Sequence, residues 1–155
     1  MLLEKLDRLN RNRKIEYLVE GTYAVVFLLP NGRILKVLDD HGQVDYLREF
    51  ANTGRAFPII HCWKEIEGKH VLVMEKLTPL LYSDTTRKLM YSMNKDFCLG
   101  KASDYSVFGQ SETFTKEMQR LIDATKRLDM YEDIHANNIM IRNSTREIVF
   151  LDPWA

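Results

Sequence analysis

The sequence Tyr131-Glu132-Asp133-Ile134-His135-Ala136-Asn137-Asn138-Ile139-Met140, followed after one turn by Ile148-Val149-Phe150-Leu151-Asp152-Pro153, decides how the rest of the chain is interpreted. Asp133, the amide Asn138 five positions later and Asp152 at the end of an apolar run are side chains of the kind that magnesium-assisted phosphoryl transfer uses. The alternative is a polar loop and a hairpin in which Asp133 and Asn138 cap turns. The loop alone favours neither interpretation.

The composition is that of one globular domain, or of two small lobes that share one core. The 155 residues are 45% hydrophobic and 28% charged, and 22 Lys and Arg balance 22 Asp and Glu. Because proteins that bind nucleic acid through its phosphates carry an excess of positive charge, we expect no nucleic-acid partner.

Cysteine usage and hydropathy indicate a cytoplasmic protein. Cys62 and Cys98 fit no metal-ligand spacing, and no signal peptide precedes them, so both are predicted to be reduced thiols. No apolar run approaches the roughly 18 residues that span a bilayer. We therefore expect neither a transmembrane segment nor a membrane partner.

The first half of the chain predicts a sheet with two helices. An amphipathic helix over 2–14 is expected to pack on this sheet, and a short helix is expected over 43–51. Short apolar runs rich in β-branched residues predict an antiparallel sheet of about five strands. These strands are expected over 15–19, 24–29, 33–38, 57–66 and 69–77, with tight turns at Pro30-Asn31-Gly32 and Glu67-Gly68.

The second half predicts a smaller, mainly helical part. Helical spacing of apolar residues places helices over 83–93 and 112–128, with a loop of uncertain form over 97–111. The fold class is therefore α+β. We expect a single domain with an N-terminal lobe over 1–77 and a reduced C-terminal lobe over 78–155.

Three upstream residues could complete a phosphate site. Gly21 lies at a turn between the first two strands, where a glycine lets backbone N–H groups approach phosphates. Lys36 is a charge inside an apolar strand, on the face opposite Leu35 and Val37. Glu49, on the following helix, could orient Lys36 through an ion pair. The alternatives are a structural glycine, a surface lysine that extends its amine to water and a solvated glutamate.

These five features occur in the chain order of a bilobal kinase, and the sequence resembles the protein kinase-like fold. It most closely resembles the early serine/threonine protein kinases of podovirus-type bacteriophages. The resemblance rests on Asp133-Ile134-His135-Ala136-Asn137-Asn138-Ile139-Met140 and Leu151-Asp152-Pro153, which are similar to the phage pattern Asp-x-His-x-x-Asn-Ile-Met followed by Asp-Pro. Glu20-Gly21-Thr22-Tyr23-Ala24-Val25-Val26-Phe27 also resembles a kinase glycine-rich loop.

The resemblance implies a role for each matching residue. Asp133 would be the base that orients the acceptor hydroxyl, Asn138 and Asp152 would hold Mg²⁺, and Lys36, paired with Glu49, would contact the nonterminal phosphates of ATP. His135 would contact the transferred phosphate or hold the loop. The residues that would otherwise bind the nucleotide are Gly21, Thr22 and Tyr23 in the glycine-rich loop, and Met74, Glu75 and Leu77 where the lobes connect.

The sequence also departs from the kinase pattern. Val19 and Ala24 stand at two of the three usual glycine positions, which predicts a stiffer phosphate loop. Tyr131 and Glu132 replace the usual His-Arg, so regulation by a phosphorylated activation loop is not expected. Pro153-Trp154 replaces Phe-Gly, which predicts a fixed rather than a moving Asp152. The sequence ends at Ala155, so we expect a C-terminal lobe truncated after the metal-binding Asp152.

Three functions are compatible with these features. The first is an ATP- and Mg²⁺-dependent serine/threonine protein kinase that phosphorylates host proteins, and possibly itself, in the host cytoplasm during phage infection. The second is a kinase-like binding module that inhibits a host protein. The third is a small-molecule phosphotransferase. A homodimer is a further possible partner arrangement.

Overall fold

The computed structural model describes residues 1–20 and 24–154, and within them the predicted α+β class is confirmed. The helices are α1 (Leu2–Arg11), α2 (His41–Phe50), α3 (Asp84–Leu99) and α4 (Glu112–Arg127), with a 3-10 helix over Ser106–Phe108. The strands are β1 (Glu16–Glu20), β2 (Ala24–Leu28), β3 (Ile34–Leu38), β4 (Ile60–Ile66), β5 (Lys69–Met74), β6 (Thr78–Pro79), β7 (Ile139–Arg142) and β8 (Glu147–Phe150). Among the described helices, none is long and apolar enough to cross a membrane.

The first five strands form the predicted antiparallel sheet, in the order β1-β2-β3-β5-β4. Both predicted tight turns are present. Gly32 has a φ of 82° between β2 and β3, and Glu67 and Gly68 have φ values of 53° and 74° between β4 and β5. Two consecutive residues with positive φ match the twist of the flanking strands, which is why such turns suit hairpins.

Helix α1 packs on this sheet, as its amphipathic pattern predicts. Leu6 of α1 is buried in one cluster with Phe27 of β2 and Val37 of β3. Leu35 and Val71 pack against the same cluster. Because side chains alternate along a strand, Leu35 and Val37 share this face and Lys36 lies on the other.

The chain divides into two compact units. The first comprises Met1–Asp45 and Ile59–Lys76, and the second comprises Tyr46–Pro58 and Leu77–Ala155. Backbone bonds explain why 46–58 belongs with the second unit: the Phe150 amide donates to the Ala56 carbonyl over 2.9 Å, and the Arg142 guanidinium donates to the carbonyls of Arg55 and Phe57. The lobes predicted from sequence, 1–77 and 78–155, stay a prediction.

The core of the second unit is aromatic. Phe50 and Phe57 lie 4.6 Å apart between ring centroids, and the Arg120 guanidinium stacks over both. Phe150 stacks on Phe114 of α4 with centroids 5.6 Å apart. Aromatic rings bury large apolar areas, so this cluster fixes α4 against the β7–β8 hairpin.

Helix α3 is longer than predicted. It continues past residue 93 to Leu99 and ends at Gly100, which has a φ of 70°. The prediction of a loop from residue 97 was wrong because Asp96, a polar residue, occupies a buried position on the helix. Its Oδ2 accepts hydrogen bonds from the Ser103 amide, the Ser103 hydroxyl and the Tyr105 hydroxyl.

Tyr105 gives the second unit an alkaline limit of stability. Burial, followed by the hydrogen bond to Asp96, raises the pKa of Tyr105 above its usual value. The stabilising contribution is therefore complete below about pH 10, where the phenol of the unfolded chain ionises, and it is lost as the pH rises further. We expect the free energy of unfolding to fall by about 1.4 kcal/mol per pH unit above that point for such a group.

Urea unfolding at a series of alkaline pH values measures this slope. The Tyr105→Phe variant should show a shallower decline. Tyr91→Phe is the matched control, because its ring is exposed and it should keep the wild-type slope. Equal slopes in the wild type and Tyr105→Phe would contradict the assignment.

Candidate functional site

Three predicted site residues are brought together by the main chain. The Asp133 amide donates to the Pro153 carbonyl over 2.7 Å. The Asn138 carbonyl accepts the Leu151 amide at 2.8 Å and the Asp152 amide at 3.4 Å. The loop 133–138 and the segment 151–153 are therefore held side by side, with Asp133, Asn138 and Asp152 in one cluster.

The β7–β8 hairpin positions this cluster. Ile139 pairs with Phe150 at its open end, so Asn138 and Leu151 are the next residues on either side. Ile139, Val149 and Phe150 are fully buried, which fixes the register of the hairpin. The polar residues thus follow directly from the apolar ones on which the hairpin folds.

The side chain of Asn138 is oriented by the loop. Its Nδ2 donates to the Asp133 carbonyl at 2.9 Å and to Asp133 Oδ2 at 3.1 Å, and lies 2.9 Å from His135 Nε2. Because the two ends of an amide diverge, Asn138 Oδ1 points away from these partners. The expectation that Asn138 supports a turn and the expectation that it offers an oxygen to a ligand are therefore compatible.

His135 contacts the loop through both ring nitrogens. Nδ1 accepts the Asn137 amide at 3.2 Å, and Nε2 lies 3.5 Å from Asp133 Oδ2. Of the two predicted roles, these contacts favour holding the loop. Contact with a transferred phosphate stays a prediction.

The segment that carries Asp152 is anchored on both sides. The Tyr46 hydroxyl donates to the Phe150 carbonyl, and the indole N–H of Trp154 donates to the Thr125 hydroxyl at 2.7 Å. Tyr46 and Trp154 are almost completely buried. Burial raises the pKa of Tyr46 well above its usual value, and the negative charge of Asp152 raises it further. These anchors agree with the predicted fixed position of Asp152.

Sequence reasoning missed the contribution of Tyr46 and Thr125. Tyr46 lies four residues before Phe50 on α2, so an inward-facing aromatic pair was detectable from the spacing. Thr125 appeared only as a member of the apolar face of α4. Nothing in the sequence indicates that its hydroxyl would meet an indole that is 29 positions away.

Lys36 of β3 is buried, with only 8% of its surface exposed. It pairs with Val26 and Leu72 on the neighbouring strands, on the sheet face opposite α1. Lysines are almost never buried this deeply on a merely solvated face. The alternative of a lysine that extends its amine to water is therefore not what the structure shows.

Glu49 forms an ion pair with Arg127. Its Oε1 lies 2.7 Å from the Arg127 guanidinium, in the second unit. Lys36 belongs to the first unit. The predicted pair of Glu49 with Lys36 stays a prediction, and the observed partner gives Glu49 a role in joining α2 to α4.

The remaining predicted nucleotide contacts fall in two places. Gly21, Thr22 and Tyr23 lie outside the described residues. Met74 ends β5 and is buried, and the carboxylate and amide of Glu75 both bond to the main chain of Ile59. Leu77 is buried at the start of the second unit's second segment. The contact of these residues with a nucleotide base stays a prediction.

The oxygen donors at the cluster fit a magnesium ion. Mg²⁺ binds oxygen ligands and in phosphoryl-transfer sites takes one or two carboxylates together with substrate phosphates. Asn138 presents an amide oxygen, and Oδ1 of Asp152 is shielded from water. In the part of the chain that the structure describes, no group of three or more His, Cys, Asp or Glu side chains could hold a metal by itself.

No protein-family model and no curated protein matches the chain. Two solved structures resemble it. Rad53 1–466 in complex with AMP-PNP gives a TM-score of 0.46 at 12% identity, over 96% of this chain and 42% of that one. The kinase domain of PknI from Mycobacterium tuberculosis gives 0.44 at 16%, over 88% and 56%. This chain spans less than two thirds of either, and similarities of this size assign no activity to it.

The Trp154 anchor is testable by a double-mutant cycle. Trp154→Phe keeps an aromatic ring and removes the N–H donor, and Thr125→Val removes the acceptor. Each should lower the free energy of unfolding by about 1–3 kcal/mol. Because both changes break the same bond, the double variant should lose about 1 kcal/mol less than the sum. Urea unfolding measures the cycle, and simple additivity would show that the bond contributes nothing.

Proposed function

We propose that this chain is an ATP-dependent phosphotransferase whose chemistry is carried out by the Asp133–Asn138 loop and Asp152. The observation that carries the proposal is the backbone bonding that places a carboxylate, an amide and a second carboxylate in one cluster. This combination of groups suits phosphoryl transfer, which needs positioning and charge neutralisation more than covalent chemistry by the protein.

Asp133 would orient the acceptor hydroxyl and take its proton. We assign this role to Oδ1, because Oδ2 is held by Asn138 and His135. As the hydroxyl oxygen bonds to the terminal phosphorus, the bond between that phosphorus and the bridging oxygen breaks and ADP leaves. His135 would keep Asp133 in place through its contacts with the loop.

Asn138 Oδ1 and the Asp152 carboxylate would hold Mg²⁺, which when bound neutralises the charge of the nucleotide phosphates. Tyr46, Thr125 and Trp154 would keep Asp152 in position through the anchors described above. Lys36 would contact the nonterminal phosphates. Its burial supports this role, since a buried ammonium requires an anionic or polar partner.

The resemblance to phage kinases supplies the finer proposal. By it, the acceptors would be Ser or Thr hydroxyls of host proteins, and the enzyme itself would be a possible substrate. The phosphorylation would redirect host functions during infection of the bacterial cytoplasm.

A second candidate is a kinase-like module that binds a host protein without transferring phosphate. The pairing of Glu49 with Arg127 favours this candidate, because a catalytic Glu49 would have to exchange that partner for Lys36. The two candidates differ in whether the Asp133 carboxylate is needed for the biological effect.

Asp133→Asn tests the base. We expect phosphate transfer from labelled ATP to host lysate proteins, or to the enzyme, to slow by about 10²- to 10⁴-fold. ATP affinity should be nearly unchanged, because Asp133 is not assigned to the nucleotide. The matched control is Asp129→Asn, which alters an exposed acid just upstream and should keep wild-type activity. If Asp133→Asn retained the biological effect and the wild type labelled nothing, the binding module would be correct.

Lys36→Met tests nucleotide binding separately. At roughly ten to a hundred times the dissociation constant, ATP with Mg²⁺ should stabilise the wild type by about 1–3 kcal/mol in thermal unfolding. The Lys36→Met variant should lose most of that stabilisation. Lys64→Met, at an exposed position of the same sheet, is the control and should respond as the wild type does. A wild type whose melting does not respond to ATP would contradict the proposal.

A further inference from the structure

Four apolar side chains of the second unit are exposed close together in the sequence. Leu81 and Tyr82 precede α3, Tyr91 lies on it, and Val107 lies on the 3-10 helix after it. Their exposed fractions are 83%, 88%, 70% and 77%. Isolated exposed apolar residues are ordinary, but a contiguous patch of them marks an interaction surface.

Two adjoining grooves organise this patch. One, of about 470 Å³, is lined on its apolar side by Leu81, Leu89 and Phe108. The other, of about 520 Å³, is lined by Tyr91, Val107 and the same Phe108. Phe108 therefore forms the ridge between them. None of the residues that line the two grooves belongs to the Asp133–Asn138 loop or to the segment 151–154.

The charged residues that line the grooves are mainly cationic. Arg146 lines the first groove, and Arg87 and Lys88 line the second. The anion among the lining residues, Asp104, is occupied by hydrogen bonds of 2.9 Å from both the amide and the hydroxyl of Ser106. Asp84, outside both grooves, lies 3.5 Å from Arg87 and is 89% exposed, a distance and exposure at which an ion pair contributes little.

The ridge between the grooves is held rigidly. The buried Asp96 carboxylate accepts three hydrogen bonds from Ser103 and Tyr105, the residues just before the 3-10 helix. Tyr105 is fully buried and its ring contacts Phe108. Val107 is thus held out into solvent by a well-bonded segment. A preformed surface binds with a smaller loss of conformational entropy.

We propose that the two grooves beside α3 dock a short segment of another protein that carries apolar side chains flanked by carboxylates. The apolar side chains would occupy the grooves on either side of Phe108. The carboxylates would lie against Arg87, Lys88 and Arg146, and the excess of cationic groups excludes a basic segment as the preferred occupant. The proposal does not depend on the phosphotransferase function.

Fluorescence anisotropy with the full chain tests this docking surface. The probes are three labelled synthetic peptides of about 12 residues, roughly 40 Å long when extended. One combines Leu with Glu, the second replaces each Glu by Lys, and the third replaces each Leu by Ser. We expect the Leu/Glu peptide to bind at least about tenfold more tightly than either other peptide, and its binding to weaken as salt is added.

Two pairs of variants locate the binding. Val107→Ser and Lys88→Ser should each weaken the Leu/Glu peptide by about fivefold to tenfold. Their controls are Leu99→Ser and Lys95→Ser, which make the same changes on α3 at exposed positions outside both grooves. Because all four side chains are exposed, the melting temperatures should stay close to that of the wild type.

Three results would overturn the proposal. Equal binding of the Leu/Lys peptide would exclude selection by charge. Unchanged affinity in both Val107→Ser and Lys88→Ser would place the peptide elsewhere. Concentration-dependent self-association of the wild type that Val107→Ser abolishes would show that a second copy of this chain is the occupant.

Discussion

The carbonyl oxygen of Asn138 is the constraint on which the candidate site depends. It accepts the amide of Leu151 and, at a longer distance, that of Asp152, while the Asp133 amide bonds to the Pro153 carbonyl. Two carboxylates held near each other repel, so side-chain charge alone would separate Asp133 from Asp152. Main-chain hydrogen bonds do not depend on the charge of these side chains, and an unpaired buried backbone group would be costly. The cluster is therefore present without a ligand.

The packing around the cluster explains why these bonds persist. Trp154 contacts the rings of Tyr46 and Phe50, and its N–H bonds to Thr125 on α4. The segment that carries Asp152 therefore continues into the aromatic core of the second unit. A mobile metal ligand would need this core to open, which is why the replacement of Phe-Gly by Pro153-Trp154 matters physically.

Much of the fold follows from local sequence signals. The antiparallel sheet follows from β-branched runs and from turns at Gly32 and Gly68, and the hairpin after Asn138 follows from the apolar run that ends at Phe150. The length of α3 was not predictable, because Asp96 is buried only by virtue of donors that fold back from residues 103–105. The partners of Tyr46, Glu49 and Thr125 are likewise tertiary contacts without a local signal.

A crystal structure of the full chain with AMP-PNP and Mg²⁺ tests the central claim most directly. The predicted result is a metal ion bound by Asn138 Oδ1 and the Asp152 carboxylate, with the loop 133–138 and the segment 151–153 joined by the same main-chain bonds. A nucleotide and metal bound away from these two residues, or no nucleotide bound at saturating concentration, would contradict it.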